Sequence, residues 1–155
     1  MAVIKIGAPA PDFTLETDGG EKVKLSSFQG KNVVLFFYPK ADTPGCTMEA
    51  CEFRDEEKAI VKTGTVILGI SPDAVKAQAK FKTKFGLPYT LLADVEQVAA
   101  EAYGVWVEKS MYGKTSMGVA RTTFLIGADG KVAKVFEKVK PAGHAGEVLA
   151  ALKAL

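Results

Sequence analysis

Six consecutive apolar and aromatic residues, Val33-Val34-Leu35-Phe36-Phe37-Tyr38, run directly into Pro39. A half-solvated strand alternates apolar with polar residues. A run without alternation has to be covered on both faces, so it belongs inside a sheet with layers packed above and below. Proline cannot donate to a ladder, so Pro39 closes the strand. Thr65 to Ile70 reads as a second buried strand. Between the two, Thr43-Pro44 opens a helix, with threonine at the cap and proline at the first helical position; it reaches about Lys62 and stops before Gly64. The inward stripe of that helix is Cys46, Ala50, Phe53 and Ile60, interrupted by Glu57, with Glu52, Asp55, Glu56 and Lys58 outward.

The rest of the chain arranges itself around this β–α–β unit. Phe13 to Leu25 holds two short apolar stretches about Asp18-Gly19-Gly20, a hairpin signal. Ser71-Pro72 starts a helix carrying Val75, Ala79 and Phe81 to about Lys84, Tyr89 to Leu92 is a short strand, and Glu96 to Tyr103 a short helix. Gly104 to Ala120 has no clean period and reads as a long loop. Arg121 to Ile126 and Lys131 to Val139 form a hairpin about Ala128-Asp129-Gly130, and a last helix runs from about Ala142 to Leu155. Parallel crossovers put helices on both faces of the sheet. The expected fold is α/β: a three-layer α/β/α sandwich of the thioredoxin-like kind, with an extra N-terminal β-hairpin, as one domain over residues 1–155.

Composition excludes several function classes. The net charge of +2 and the absence of clustered Lys and Arg with interleaved aromatics argue against a nucleic-acid partner. The apolar runs are too short to span a bilayer, so no membrane partner is expected. The N-terminal MAVIKIGAPAPDF lacks the pattern of a secretory signal, which suits a cytoplasmic protein; a transit peptide removed beforehand would leave an organelle open. Two cysteines and one histidine cannot supply four protein ligands to zinc, so no metal site is expected.

The chemistry lies between Tyr38 and Cys51, at the carboxyl end of a buried strand, where open α/β sheets bind ligands. Cys46 falls in the first helical turn, where unpaired amides and the helix dipole favour negative charge and hence the nucleophilic thiolate. The bland alternative is a small buried core residue. Thr43 can serve as N-cap and also bring a hydroxyl within reach of Cys46; Pro39 ends the strand or also shields the sulfur. Cys51 follows Cys46 by five residues. On one regular helix their Cα atoms stand roughly 8–9 Å apart, beyond the ~7 Å a disulfide tolerates. If the two sulfurs bond, the first helical turns must unwind; otherwise Cys51 is a passive helix residue.

Pro39, Thr43 and Cys46 form a Pro-x-x-x-Thr-x-x-Cys pattern, and with it the chain resembles the peroxiredoxins. The string YPKADTPGCTMEAC is similar to their Q-type subfamily, the bacterioferritin comigratory proteins, as are Asp12-Phe13-Thr14-Leu15, Gly104-Val105-Trp106 and Arg121 to Ile126. Gly127 stands where relatives commonly carry aspartate. The resemblance implies that Cys46 is the peroxidatic cysteine, Arg121 the active-site arginine and Cys51 the resolving cysteine. It implies a thiol peroxidase that reduces hydrogen peroxide and organic hydroperoxides without a cofactor and is recycled by thioredoxin or a similar dithiol, an antioxidant part in cell redox homeostasis. Because both cysteines lie in one chain, a monomer suffices.

Two other readings compete. A redox sensor would use the same disulfide to signal to a partner. A disulfide oxidoreductase is disfavoured, because Cys-x-x-Cys is absent. The one histidine, His144, is expected to be exposed at the start of the last helix and remote from any hydrolase role. Trp106 is expected to pack beneath the long loop. Asp42, Glu49 and Glu52 lie near Cys46 and are expected to be solvated, since carboxylates oppose a thiolate.

Overall fold

The computed structural model describes residues 3–155; Met1 and Ala2, the start of the N-terminal stretch read above, lie outside the described residues. The expected hairpin is present as β1 (Thr14–Thr17) and β2 (Lys22–Lys24), paired antiparallel, and is followed by a 3-10 turn over Leu25–Phe28. Then come β3 (Asn32–Phe37), α1 (Pro44–Lys62), β4 (Thr65–Ser71), α2 (Val75–Phe85), β5 (Thr90–Ala93) and α3 (Val98–Ala102). The chain continues through β6 (Trp106–Met111), β7 (Lys114–Val119), β8 (Thr122–Ile126), β9 (Val132–Phe136) and α4 (His144–Lys153). Seven strands form one sheet in the order β2-β1-β5-β4-β3-β8-β9.

β3 lies inside this sheet, parallel to β4 and antiparallel to β8, as its unbroken apolar run requires. Its side chains alternate between two cores. Val33, Leu35 and Phe37 join Phe124, Ala99, Ala100 and Tyr103 on the α3 face. Val34, Phe36 and Tyr38 join Cys46, Ala50 and Phe53 of α1, Phe81 of α2 and Val148 and Leu152 of α4 on the other. Helices therefore cover both faces, giving the thioredoxin-like sandwich. Phe36 stacks on Phe53 with ring centroids 4.6 Å apart. That stacking depends on Gly69, the residue opposite Phe36 on β4, because a Cβ there would come within 2.8 Å of the Phe36 ring and of Leu91.

Two elements differ from expectation. The segment read as a long loop is the β6–β7 hairpin, turned by Tyr112 and Gly113 with φ of 54° and 77°, a pair of left-handed residues that suits a two-residue hairpin turn. Most of β7 faces solvent on both sides, so neither face selects apolar residues and no alternation appears in the sequence. Trp106 starts this hairpin half-buried against the α3-side core, rather than beneath a loop. The helix expected from Ser71-Pro72 begins only at Val75, because Ser71 completes β4 and donates its hydroxyl to Asp73 at 2.6 Å.

Candidate active site

The loop from β3 into α1 is tied down before the helix starts. The Ala41 amide donates to Asp73 Oδ2 at 2.7 Å, and Asp42, in the left-handed region at φ 60°, pairs with Lys84 at 2.8 Å. Asp42 is exposed, as expected. Behind the loop, Tyr38 donates to Gln78, which donates in turn to Ser71 Oγ and to the Leu92 carbonyl, so the end of β3 is anchored by a connected polar network in the core. Pro39, half-buried, follows directly.

Thr43 occupies the N-cap position with extended backbone, but its hydroxyl does not cap the helix; it donates to the Lys40 carbonyl at 2.7 Å. The amides of Gly45 and Cys46, in the first turn, are thus left without a side-chain cap.

Cys46 is 1 % exposed, on the inward face of α1 with Glu49, Ala50 and Phe53. Arg121 reaches it from across the sheet: Nη2 donates to Cys46 Sγ at 3.4 Å, and Nη1 donates to Glu49 Oε1 at 2.7 Å. The sheet makes this meeting possible. β8 runs antiparallel to β3 with Thr122 opposite Phe37, so Arg121, just before β8, arrives at the edge where β3 delivers the loop to α1. Burial works against the guanidinium's charge, but its contacts with Glu49 and Cys46 outweigh that and keep it protonated. The side chain also explains Gly45, since a Cβ there would stand 3.1 Å from Arg121 Nη2. Gly45→Ala should push the guanidinium aside by a few tenths of an ångström, with a loss of activity of about tenfold on the scale by which misplaced groups impair catalysis. Peroxide-consumption assays beside a thermal melt would check that the activity falls while the fold is kept.

Three residues stand otherwise than expected. Glu49, expected to be solvated, is 1 % exposed and bonded to Arg121. Burial, opposed by the Arg121 charge and hydrogen bond, raises its carboxyl to about 7. Its place was legible: it lies three residues after Cys46, on the same helical stripe as Ala50 and Phe53. Glu52 is half-buried and accepts from the Gly143 amide at 2.8 Å. His144, expected to be exposed, is 2 % exposed; its ring nitrogens meet Thr123 Oγ1 at 2.8 Å and Glu147 Oε1 at 3.0 Å, engaged away from Cys46.

Lys109 of β6 was not foreseen at all. Its side chain lies across Gly118, whose missing Cβ would be 3.1 Å from Lys109 Cδ. Burial and the positive charge of Arg121 lower its amine from the usual range, while the sulfur of Cys46 works the other way. The β6–β7 hairpin thus brings a second cation towards the sulfur.

Cys51 is half-buried on the same uninterrupted helix as Cys46, and both cysteines are free thiols. The carbonyl of Ala50, between them, accepts from Tyr89 Oη at 2.6 Å, and Arg54 Nη1 donates to the Phe85 carbonyl at 2.8 Å. The helix from Ala50 onward is thereby held to the α2–β5 connection, whereas its first turn starts with Pro44 and Gly45.

Residues 6–135 match the model of the AhpC/TSA family. Peroxiredoxin Bcp of Bacillus subtilis is 49 % identical over 150 residues, covering 97 % of this chain and 96 % of the relative. Among solved structures, the bacterioferritin comigratory protein of Xanthomonas campestris, studied for its alkyl peroxide reduction activity, superposes with a TM-score of 0.91 at 40 % identity, over 97 % of this chain and 98 % of the other. A cysteine-to-serine variant of peroxiredoxin Q from Xylella fastidiosa reaches a TM-score of 0.94 at 34 % identity, over 99 % of this chain and 98 % of the other.

Proposed function

Because the chain belongs to the AhpC/TSA family, as a peroxiredoxin of its Q-type or bacterioferritin comigratory branch, we propose that it reduces hydrogen peroxide and organic hydroperoxides through the thiolate of Cys46. One observation carries this reading of the site: a guanidinium bonded at 3.4 Å to a sulfur in the first turn of a helix. The charge of Arg121 and the free amides of Gly45 and Cys46 favour the thiolate and receive the negative charge that develops on the departing oxygen. Pro44 has no amide proton to contribute.

The thiolate attacks the terminal peroxide oxygen in line with the O–O bond. A sulfur–oxygen bond forms, the O–O bond breaks, water or alcohol leaves, and Cys46 becomes a sulfenic acid. Thr43 and Pro39 line the approach, the first orienting the peroxide and the second shielding the sulfur from bulk water. The start of α1 then unwinds, eased by Gly45, which loses more freedom in a helix than other residues do. The Tyr89 and Arg54 hydrogen bonds keep the remainder in place. The Cys51 thiolate displaces hydroxide from the sulfenic sulfur, and the resulting Cys46–Cys51 disulfide is reduced by thioredoxin or a similar dithiol through exchange. Resolution inside one chain lets the protein work as a monomer of a single domain. A cycle that ends on thioredoxin suits a reducing compartment such as the cytoplasm; among the described residues no helix is long and apolar enough to cross a membrane.

Cys51→Ser tests the second half of the cycle. The variant should consume one equivalent of peroxide per chain and then stop, even with thioredoxin, its reductase and NADPH present. Sustained NADPH oxidation at the parent rate would remove Cys51 from the cycle.

A further inference from the structure

Glu49 has no part in this cycle as written, yet it sits at its centre. Its Oε1 accepts from Arg121 at 2.7 Å, while Oε2 is buried and has no hydrogen-bond partner among the described residues. An ionised carboxylate needs donors at both oxygens. A protonated one needs a donor at one oxygen only, and leaving a buried hydroxyl unpartnered is a smaller penalty than leaving a buried charge so. Arg121 meanwhile holds Cys46 Sγ through its other terminal nitrogen. One guanidinium thus stands between two acids. Were both ionised, the enclosed cluster would carry one uncompensated negative charge; with one ionised it is neutral.

Resting on the reading of Cys46 as the reacting sulfur, we propose that Glu49 is a positioning residue that takes up a proton when Cys46 becomes a thiolate and gives it back when that sulfur is oxidised, so that Arg121 balances one anion at each stage. In the reduced protein Cys46 is the anion and Glu49 the acid. When the S–O bond forms and the O–O bond breaks, sulfur is oxidised and the peroxide reduced. The departing oxygen takes a proton from solvent, and Glu49, now the only anion Arg121 can balance, releases one. In sum, thiolate, hydroperoxide and carboxylic acid become sulfenic acid, alcohol or water, and carboxylate, with no net proton taken up.

The surroundings agree. Burial holds the Glu49 carboxyl near 7, with Glu52 on the same helix raising it further. Burial raises the Tyr89 hydroxyl, ahead of β5, and lowers the His144 imidazole of α4, favouring the neutral form of each. Lys109 of β6 is half-buried, with its amine lowered by burial and by Arg121. Glu52 points its Oε1 at the Gly143 amide.

Difference infrared spectroscopy tests this on the Cys51→Ser protein at pH 6, reduced against treated with one equivalent of hydrogen peroxide. The expected spectrum loses one protonated-carboxyl carbonyl band and gains one carboxylate band per sulfenic acid formed, and Glu49→Gln in the same background loses that pair of bands. In weakly buffered solution with a pH indicator, the Glu49→Gln protein should take up one proton more per sulfenic acid than its parent, whatever the ionisation of the sulfenic acid itself; Glu49→Asp should restore the parent count. A full yield of sulfenic acid with no carboxyl band change, or with equal proton counts, overturns the proposal. Failure to form any sulfenic acid would instead remove the reading of Cys46, and this proposal with it.

Discussion

Cys46→Ser is expected to abolish peroxide consumption, a loss on the order of 10⁶ in turnover, the scale seen when an enzyme's nucleophile is removed. A serine hydroxyl is not ionised near neutrality, and oxygen cannot accept the transferred peroxide oxygen as sulfur does. The substitution is close to isosteric in a buried position, and Arg121 Nη2 offers the new hydroxyl a donor, so the fold should survive with a melting temperature near that of the parent. Peroxide remaining after mixing, followed beside circular dichroism, measures both. The parent protein in the same assay with thioredoxin should consume many equivalents of peroxide per chain, which a sensor using the same disulfide has no need to do.

Arg121→Met should keep the thiol and still lose activity by about 10²–10³-fold, the range for deleting one donor that stabilises developing charge on oxygen. Its second effect falls on Glu49. The guanidinium is what pulls that carboxyl down against burial, so without it the carboxyl rises beyond the value of about 7 it has in the intact protein. A raised carboxyl means that the folded state binds more protons than the unfolded one. Between the unfolded value near 4.5 and the folded value, stability therefore declines as pH rises. Breaking a buried pair costs about 3–5 kcal/mol when the remaining charge stays uncompensated, and protonation of Glu49 relieves that at low pH. Urea melts from pH 5 to 8 should show the variant losing ground to the parent with rising pH. A pH-independent difference would contradict the coupling of Glu49 to Arg121.

Much of this was legible from residues alone because the determining signals are local. The unbroken run from Val33 to Tyr38, the Thr43-Pro44 helix start and the Asp18-Gly19-Gly20 turn each encode their element within a few residues. Arg121 was different: its approach to Cys46 depends on β8 pairing antiparallel with β3, a long-range contact that no local pattern announces. Only the family resemblance pointed to it. Lys109 was missed for a related reason, since a hairpin exposed on both faces carries no periodicity and passed for a loop. Glu49 and His144 differ from expectation for the same reason as Arg121: a carboxylate beside a thiolate is expected to be solvated and a histidine at a helix start exposed, whereas both are buried against partners from other elements. Gly127 lies in the β8–β9 turn, where a Cβ would stand 3.0 Å from Asp129 Oδ1, the acceptor of the Lys131 amide.

The most direct test is a competition for substoichiometric hydrogen peroxide at pH 7 between the reduced protein and a large excess of free cysteine, with the oxidised sites read by peptide mass spectrometry. A sulfur made nucleophilic by the α1 terminus and Arg121 should capture most of the oxidant, and the products should be Cys46 derivatives, chiefly its disulfide with Cys51. Oxidant consumed by the free cysteine, with Cys46 left reduced, would contradict the account at its root.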